Sequence, residues 1–120
     1  MAMLRHFWDA AVAEDPAAVA VDEAVRFPIC APGGLQSVFE AAGVTGVTAR
    51  PIEVTGRYAD FEEYWTPFLS GNAPAPGYLA SLPPQRQDRV REILRERVPT
   101  AADGSITLTC RAWAVRGRRD

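Results

Sequence analysis

The sequence contains no lysine; all 13 of its basic residues are arginine. A lysine Schiff base and a phosphate-loop lysine are thereby excluded from any mechanism. Histidine occurs once, at His6, and cysteine twice, at Cys30 and Cys110. No zinc-ligand spacing, CxxC pair or disulfide framework can be written with so few, and no metal is expected. Long apolar runs are missing as well, and none approaches the roughly 20 residues of a membrane-spanning helix. The opening Met-Ala-Met-Leu-Arg-His leads into no continuous apolar stretch, so neither a membrane nor a secretory leader is expected, and the chain is assigned to the cytoplasm. Large aliphatic and phenyl side chains are also scarce. Val, Ile, Leu and Phe number 27 among 120 residues, while alanine alone numbers 20. That is just above the roughly 20% below which chains tend to stay disordered. One lean domain spanning residues 1–120 is the expectation.

The formal charge is only −2, but it is unevenly spread, with 4 arginines against 10 acids in residues 1–80 and 9 against 5 in residues 81–120. The later arginines alternate with Asp and Glu at helical spacing, which describes a solvated helix face and not a nucleic-acid surface.

Apolar periodicity supplies the elements. Leu4, Phe7, Trp8, Ala11 and Val12 mark one face of a helix that ends near Asp15-Pro16. Pro32 opens a second helix, with Leu35, Val38, Phe39 and Ala42 as its buried face and Gly43 as its stop. Residues 44–55 then alternate as a strand, with a change of phase that predicts a bulge at Pro51 and an edge position. Asp60 and Glu63 frame a capping-box-like start for a short helix carrying Phe61, Tyr64, Trp65, Phe68 and Leu69. Residues 72–77, Asn-Ala-Pro-Ala-Pro-Gly, read as loop. A helix over residues 83–98 turns Leu82, Val90, Ile93, Leu94 and Val98 inward. Residues 105–116 alternate most cleanly, with Ile106, Leu108, Cys110, Ala112 and Ala114 on one face and Arg111 and Trp113 on the other. The expected fold is α+β, with four to five helices and a two-stranded antiparallel element. Two strands alone make a marginal sheet with open edges.

Four segments, FWDAAVAEDP at residue 7, PGGLQSVFEAAGVTGVTARPIEV at 32, YADFEEYWTPFLSG at 58 and DGSITLTCRAWAVRG at 103, resemble the C-terminal part of class I S-adenosylmethionine-dependent methyltransferases of the small-molecule type 11 group. The similarity covers roughly residues 4–117. It implies that residues 34–43 are the last helix of that Rossmann-like fold, 44–54 its sixth strand and 106–115 its antiparallel seventh. The family holds its cofactor in the other half, on a glycine-rich turn and a carboxylate that accepts from the ribose. No position here matches either feature, so no catalytic and no cofactor-binding residue carries over. The resemblance places the aromatic segments on the substrate side.

Phe7, Trp8, Tyr64, Trp65 and Phe68 are therefore candidate substrate contacts, lining a site for a small apolar ligand, and they also fit a core short of aliphatics. Arg111 is the sixth candidate, able to pair with Glu53 across the strands or to receive a ligand carboxylate. His6 has only Asp9 as a local partner. Two function classes follow. One is a methyltransferase-like substrate-binding section, inactive until a partner chain brings S-adenosylmethionine; the other is a free-standing, non-catalytic dimeric α+β binding module. A truncated product without function is a third possibility. In either class the open strand, Ile106 to Val115, is expected to pair in a homodimer, with Thr109 and Trp113 near the axis.

Overall fold

The structure is a computed structural model and describes residues 1–119. Helix α1 (Ala2–Glu14) forms on the apolar stripe read from the sequence and buries Phe7, Trp8, Ala10 and Ala11. A 3-10 turn (Pro16–Val21) follows, capped by the Asp15 side chain, and then a single turn, α2 (Glu23–Arg26), capped by Asp22. A second 3-10 turn (Pro28–Cys30) leads into α3 (Gly34–Ala41). Strand β1 (Thr45–Tyr58) comes next, then the short α4 (Phe61–Trp65), whose Asp60 cap accepts from Glu63 N as the sequence predicts. A 3-10 turn (Thr66–Ser70), α5 (Pro74–Ser81), α6 (Pro84–Arg97) and β2 (Ile106–Arg118) complete the order. The fold is α+β. Among the described residues its sheet has two antiparallel strands, and four helices reach eight residues or more.

The helices divide the molecule unequally. α1, α4, α5 and α6 enclose one core of aromatic and aliphatic side chains, into which β2 inserts Ile106 and Leu108. Arg86 of α6 ties this body together by donating to Glu14 and Asp15 at the end of α1. Beyond Leu108 the two strands leave the body as a ribbon, flanked by α3 and by the turn Pro28–Cys30. The chain is accordingly elongated, 56 × 33 × 21 Å, with a radius of gyration of 17.1 Å where a compact chain of this length has about 14 Å.

Three local expectations are corrected. The bulge lies between Thr45 and Thr48, not at Pro51, which stays in register opposite Trp113. Gly46 sits in the bulge at φ +59°, a left-handed conformation that glycine adopts without a Cβ penalty. Residues 74–77, within the stretch 72–77 expected to be loop, instead form the first turn of α5, Pro74–Ser81. Pro74 and Pro76 lie in its first turn, where backbone N–H groups have no intrahelical acceptor, so their missing donors break no helical bond. α3 does form, but its apolar face is not buried: Val38 is 50% exposed, and Leu35 and Phe39 are only half-buried. Its entry is nonetheless tightly set. A Cβ on Gly34 would lie 2.7 and 2.8 Å from the carbonyl oxygens of Pro28 and Ile29, so only glycine lets this helix approach the preceding turn.

Candidate functional site

The six residues singled out from the sequence separate into two groups. Phe7, Tyr64, Trp65 and Phe68 are in the core of the helical body, each 4% exposed or less. Phe7 and Phe68 stack at 4.7 Å and 13°, and Trp65 lies parallel to Phe61. The Tyr64 hydroxyl donates to Met3 O at 2.8 Å, and burial pushes its pKa well above the ordinary tyrosine value. These four rings supply the volume that the scarce aliphatics do not.

Trp8 belongs to the same core, 1% exposed and edge-on to Phe7, but it also borders a cleft that Arg111 lines. Between α1, the 3-10 turn Pro28–Cys30, α3 and β2 lies a cleft of about 610 Å³, within the range of small-molecule sites. Leu4 and Trp8 line it from α1, Phe27 and Ile29 from the turn, Leu35 from α3, and Trp113 from β2. Trp113 was expected at a strand-edge dimer axis, but its Nε1 donates across the cleft to Cys30 O at 3.2 Å. That bond joins residues 83 apart and fixes the width of the opening.

Charged groups rim the cleft. Arg5 donates from both Nη atoms to the two carboxylate oxygens of Asp22, at 3.1 and 2.6 Å, and from Nε to Asp9. Burial alone would raise the pKa of Asp22. The Arg5 fork, the Ala24 N–H and the Arg5 charge outweigh it and hold the carboxyl below its usual value. Trp8 Nε1 donates to Glu23 at 3.0 Å. Arg111 donates Nε to Glu53 at 2.8 Å, the cross-strand pair expected from the alternation, and lies over the Trp113 ring at 5.6 Å. His6 does not reach Asp9, whose carboxylate takes Arg5 instead. It borders a second, more open depression with Arg97 and Val12, where Arg5 pairs with Asp9 and Asp22 and Arg97 donates to Asp9 O.

Sequence reading missed Phe27, Ile29, Leu35 and Trp113 as cleft residues. The signal was present in part, since Phe27-Pro28-Ile29-Cys30 is an apolar run outside any helical or strand period, and Phe27 and Ile29 stay 45% and 41% exposed. Its partner in space lies at the other end of the chain.

The arrangement does not suit S-adenosylmethionine. Gly33 and Gly34 precede a helix but follow a 3-10 turn, not a strand, and the groups crowding Gly34 are carbonyl oxygens, whereas a cofactor carboxylate or ribose needs donors and a free acid. Among the described residues no group of His, Cys, Asp and Glu is placed to hold a metal, both cysteines are free thiols, and no helix is long and apolar enough to cross a membrane. No protein-family model matches the sequence, and comparisons with curated proteins and with solved structures gave no match.

Proposed function

We propose that the chain is the substrate-side section of a methyltransferase-like protein, which holds a small apolar molecule in the cleft and becomes active only when a partner supplies the cofactor-binding section. The observation that carries this reading is the unfinished sheet. Strands of 14 and 13 residues pair only with each other among the described residues, and ribbons of two strands are marginal in water. Ile52 and Val54 stand 56% and 62% exposed on it. The two edges differ. β1 is blunted by Pro51, which has no N–H, and by the bulge at Gly46; β2 contains no proline and only Arg111 as a central charge. Completion therefore takes place along β2, residues 106–115, either by a second copy in a homodimer with Thr109 at the axis or by the cofactor-binding chain. Two free thiols suit the reducing cytoplasm.

A second reading, a free-standing dimeric binding module without catalysis, is favoured by the cleft itself, which one chain completes. Co-expression with the adjacent upstream reading frame separates the two. The first reading expects that frame to carry a glycine-rich strand-to-helix turn and to form a complex that binds S-adenosylmethionine, while the 120-residue chain alone does not. Micromolar cofactor binding by the isolated chain refutes the division of labour. Light scattering tests completion by a copy: a monomer at high micromolar concentration, unchanged by Thr109→Pro, removes the homodimer.

A further inference from the structure

The polar groups around the cleft are unequally satisfied. Asp22 is held by both Nη atoms of Arg5 and by Ala24 N, and Glu23 by Trp8 Nε1. Arg5 spends its remaining Nε on Asp9. Arg111 is the exception. Only its Nε is engaged, by Glu53, and its side chain is 50% exposed. Its two Nη groups have no acceptor among the described residues. A guanidinium in that state offers paired, coplanar donors whose spacing matches the two oxygens of a carboxylate. The walls are flat as well as apolar, with the half-buried indole of Trp113 and the exposed phenyl ring of Phe27, and the buried Trp8 also borders the cleft.

We infer that the cleft is a site for an aromatic carboxylic acid, with the ring between Trp113 and Phe27 and the carboxylate on the Nη atoms of Arg111. This rests on the cleft being a ligand site and names the class of molecule it takes. Glu53 has a defined part in it. By holding Nε it fixes the guanidinium at the rim, and its own negative charge opposes the incoming carboxylate. It tunes affinity downward and favours ligands able to compete for Arg111.

The three tryptophans provide an internal readout, because Trp113 is half-buried at the cleft, Trp8 borders it from the core at 1% exposure, and Trp65 lies in the core without lining it. The experiment is titration of the full chain with 2-naphthoate, and separately with the neutral 2-naphthamide, following the indole N–H resonances. Naphthoate is expected to shift Trp8 and Trp113 and to leave Trp65 in place. Arg111→Gln should weaken naphthoate binding by about tenfold or more, in keeping with the loss of a charge-assisted bidentate contact, while changing naphthamide binding by less than about twofold. Glu53→Gln should strengthen naphthoate binding a few-fold. Both substitutions fall on half-exposed side chains of the ribbon, and circular dichroism confirms that each variant is folded. Equal binding of acid and amide, with neither substitution having an effect, overturns the carboxylate assignment and leaves the cleft as an apolar site. No shift at Trp8 or Trp113 with either compound removes the cleft as a ligand site, and this inference with it.

Discussion

Trp65→Ala tests whether the aromatic cluster is core or pocket. The Trp65 ring is 4% exposed, lies 6.2 Å from Phe61 at an interplanar angle of 13°, and tilts against Phe68 at 5.9 Å. Truncation there leaves a cavity walled by rigid rings, which cannot collapse to fill it. Such losses cost about 3–5 kcal/mol, a large part of the 5–15 kcal/mol that typically holds a domain together. An unfolding entropy of about 2.1 cal/mol/K per residue over 120 residues converts this into a melting temperature about 12–20 °C lower. Trp113→Ala is the matched control. Its ring is half-buried on the ribbon, so about 1 kcal/mol is the expected cost, together with loss of naphthoate binding. Urea unfolding followed by far-ultraviolet circular dichroism measures both variants. A cost below about 1 kcal/mol for Trp65→Ala, coupled to lost ligand binding, would refute the reasoning and return the cluster to the role of a pocket.

Three further outcomes follow from single groups. The Tyr64 hydroxyl has a pKa raised by burial, so it stays protonated in the folded chain while its unfolded counterpart ionises near 10. Stability should fall as pH rises above 10, by up to about 1.4 kcal/mol per pH unit; Tyr64→Phe should make that fall shallower in alkaline urea titrations, with Tyr58 and Tyr78 sustaining the rest. Asp22 is held below its usual pKa by Arg5, so its contribution is present above about pH 4 and is lost as pH falls through the folded value. Asn keeps the cap to Ala24, so Asp22→Asn should be less stable by about 1 kcal/mol at pH 7, and chemical denaturation should show that difference closing as pH falls below the usual carboxylate range. Ala73 enters α5 at φ +88°, ψ +164°, a region otherwise left to glycine, and Ala73→Gly should raise the melting temperature, with a gain of about 1 kcal/mol.

What the sequence made legible was whatever local physics decides. α1 and α6 follow from helical periodicity, the start of α4 from Asp60, and β2 from strict alternation. The Glu53–Arg111 pair follows once the two strands are set antiparallel. The misread segments are those where a local rule has a positional exception. Proline breaks a helix interior but not a first turn, so Pro74 and Pro76 concealed α5. Proline disrupts a ladder but not a free edge, so Pro51 drew the bulge away from Gly46. The cleft was hidden for a different reason. It exists because Cys30 O and Trp113 Nε1, 83 residues apart in the chain, meet in space, and no spacing within either segment encodes that meeting. Trp65 and Trp113 look alike as residues, and only tertiary packing puts one in the core and the other at an opening.

The cleft is also the seam between the two unequal parts of the molecule. α1 belongs to the helical body, whose core excludes water from Phe7, Tyr64, Phe68, Val90 and Leu94. Trp113 and Arg111 belong to the ribbon, which past Leu108 has little buried surface of its own. A molecule held in the cleft, as inferred above, would lie against both α1 of the body and β2 of the ribbon, so its binding energy would depend on the ribbon keeping its angle to the body. Whatever completes the sheet along β2 restrains that same angle. If both proposed events occur they are thermodynamically linked, and linkage is reciprocal: a partner on β2 that tightens ligand binding must itself bind more tightly when the ligand is present, by the same factor. In the methyltransferase-like reading this coupling has a use. Under that proposal the cleft would be best formed when the section carrying the reactive cofactor is in place, so that a small molecule would be retained chiefly where it can react.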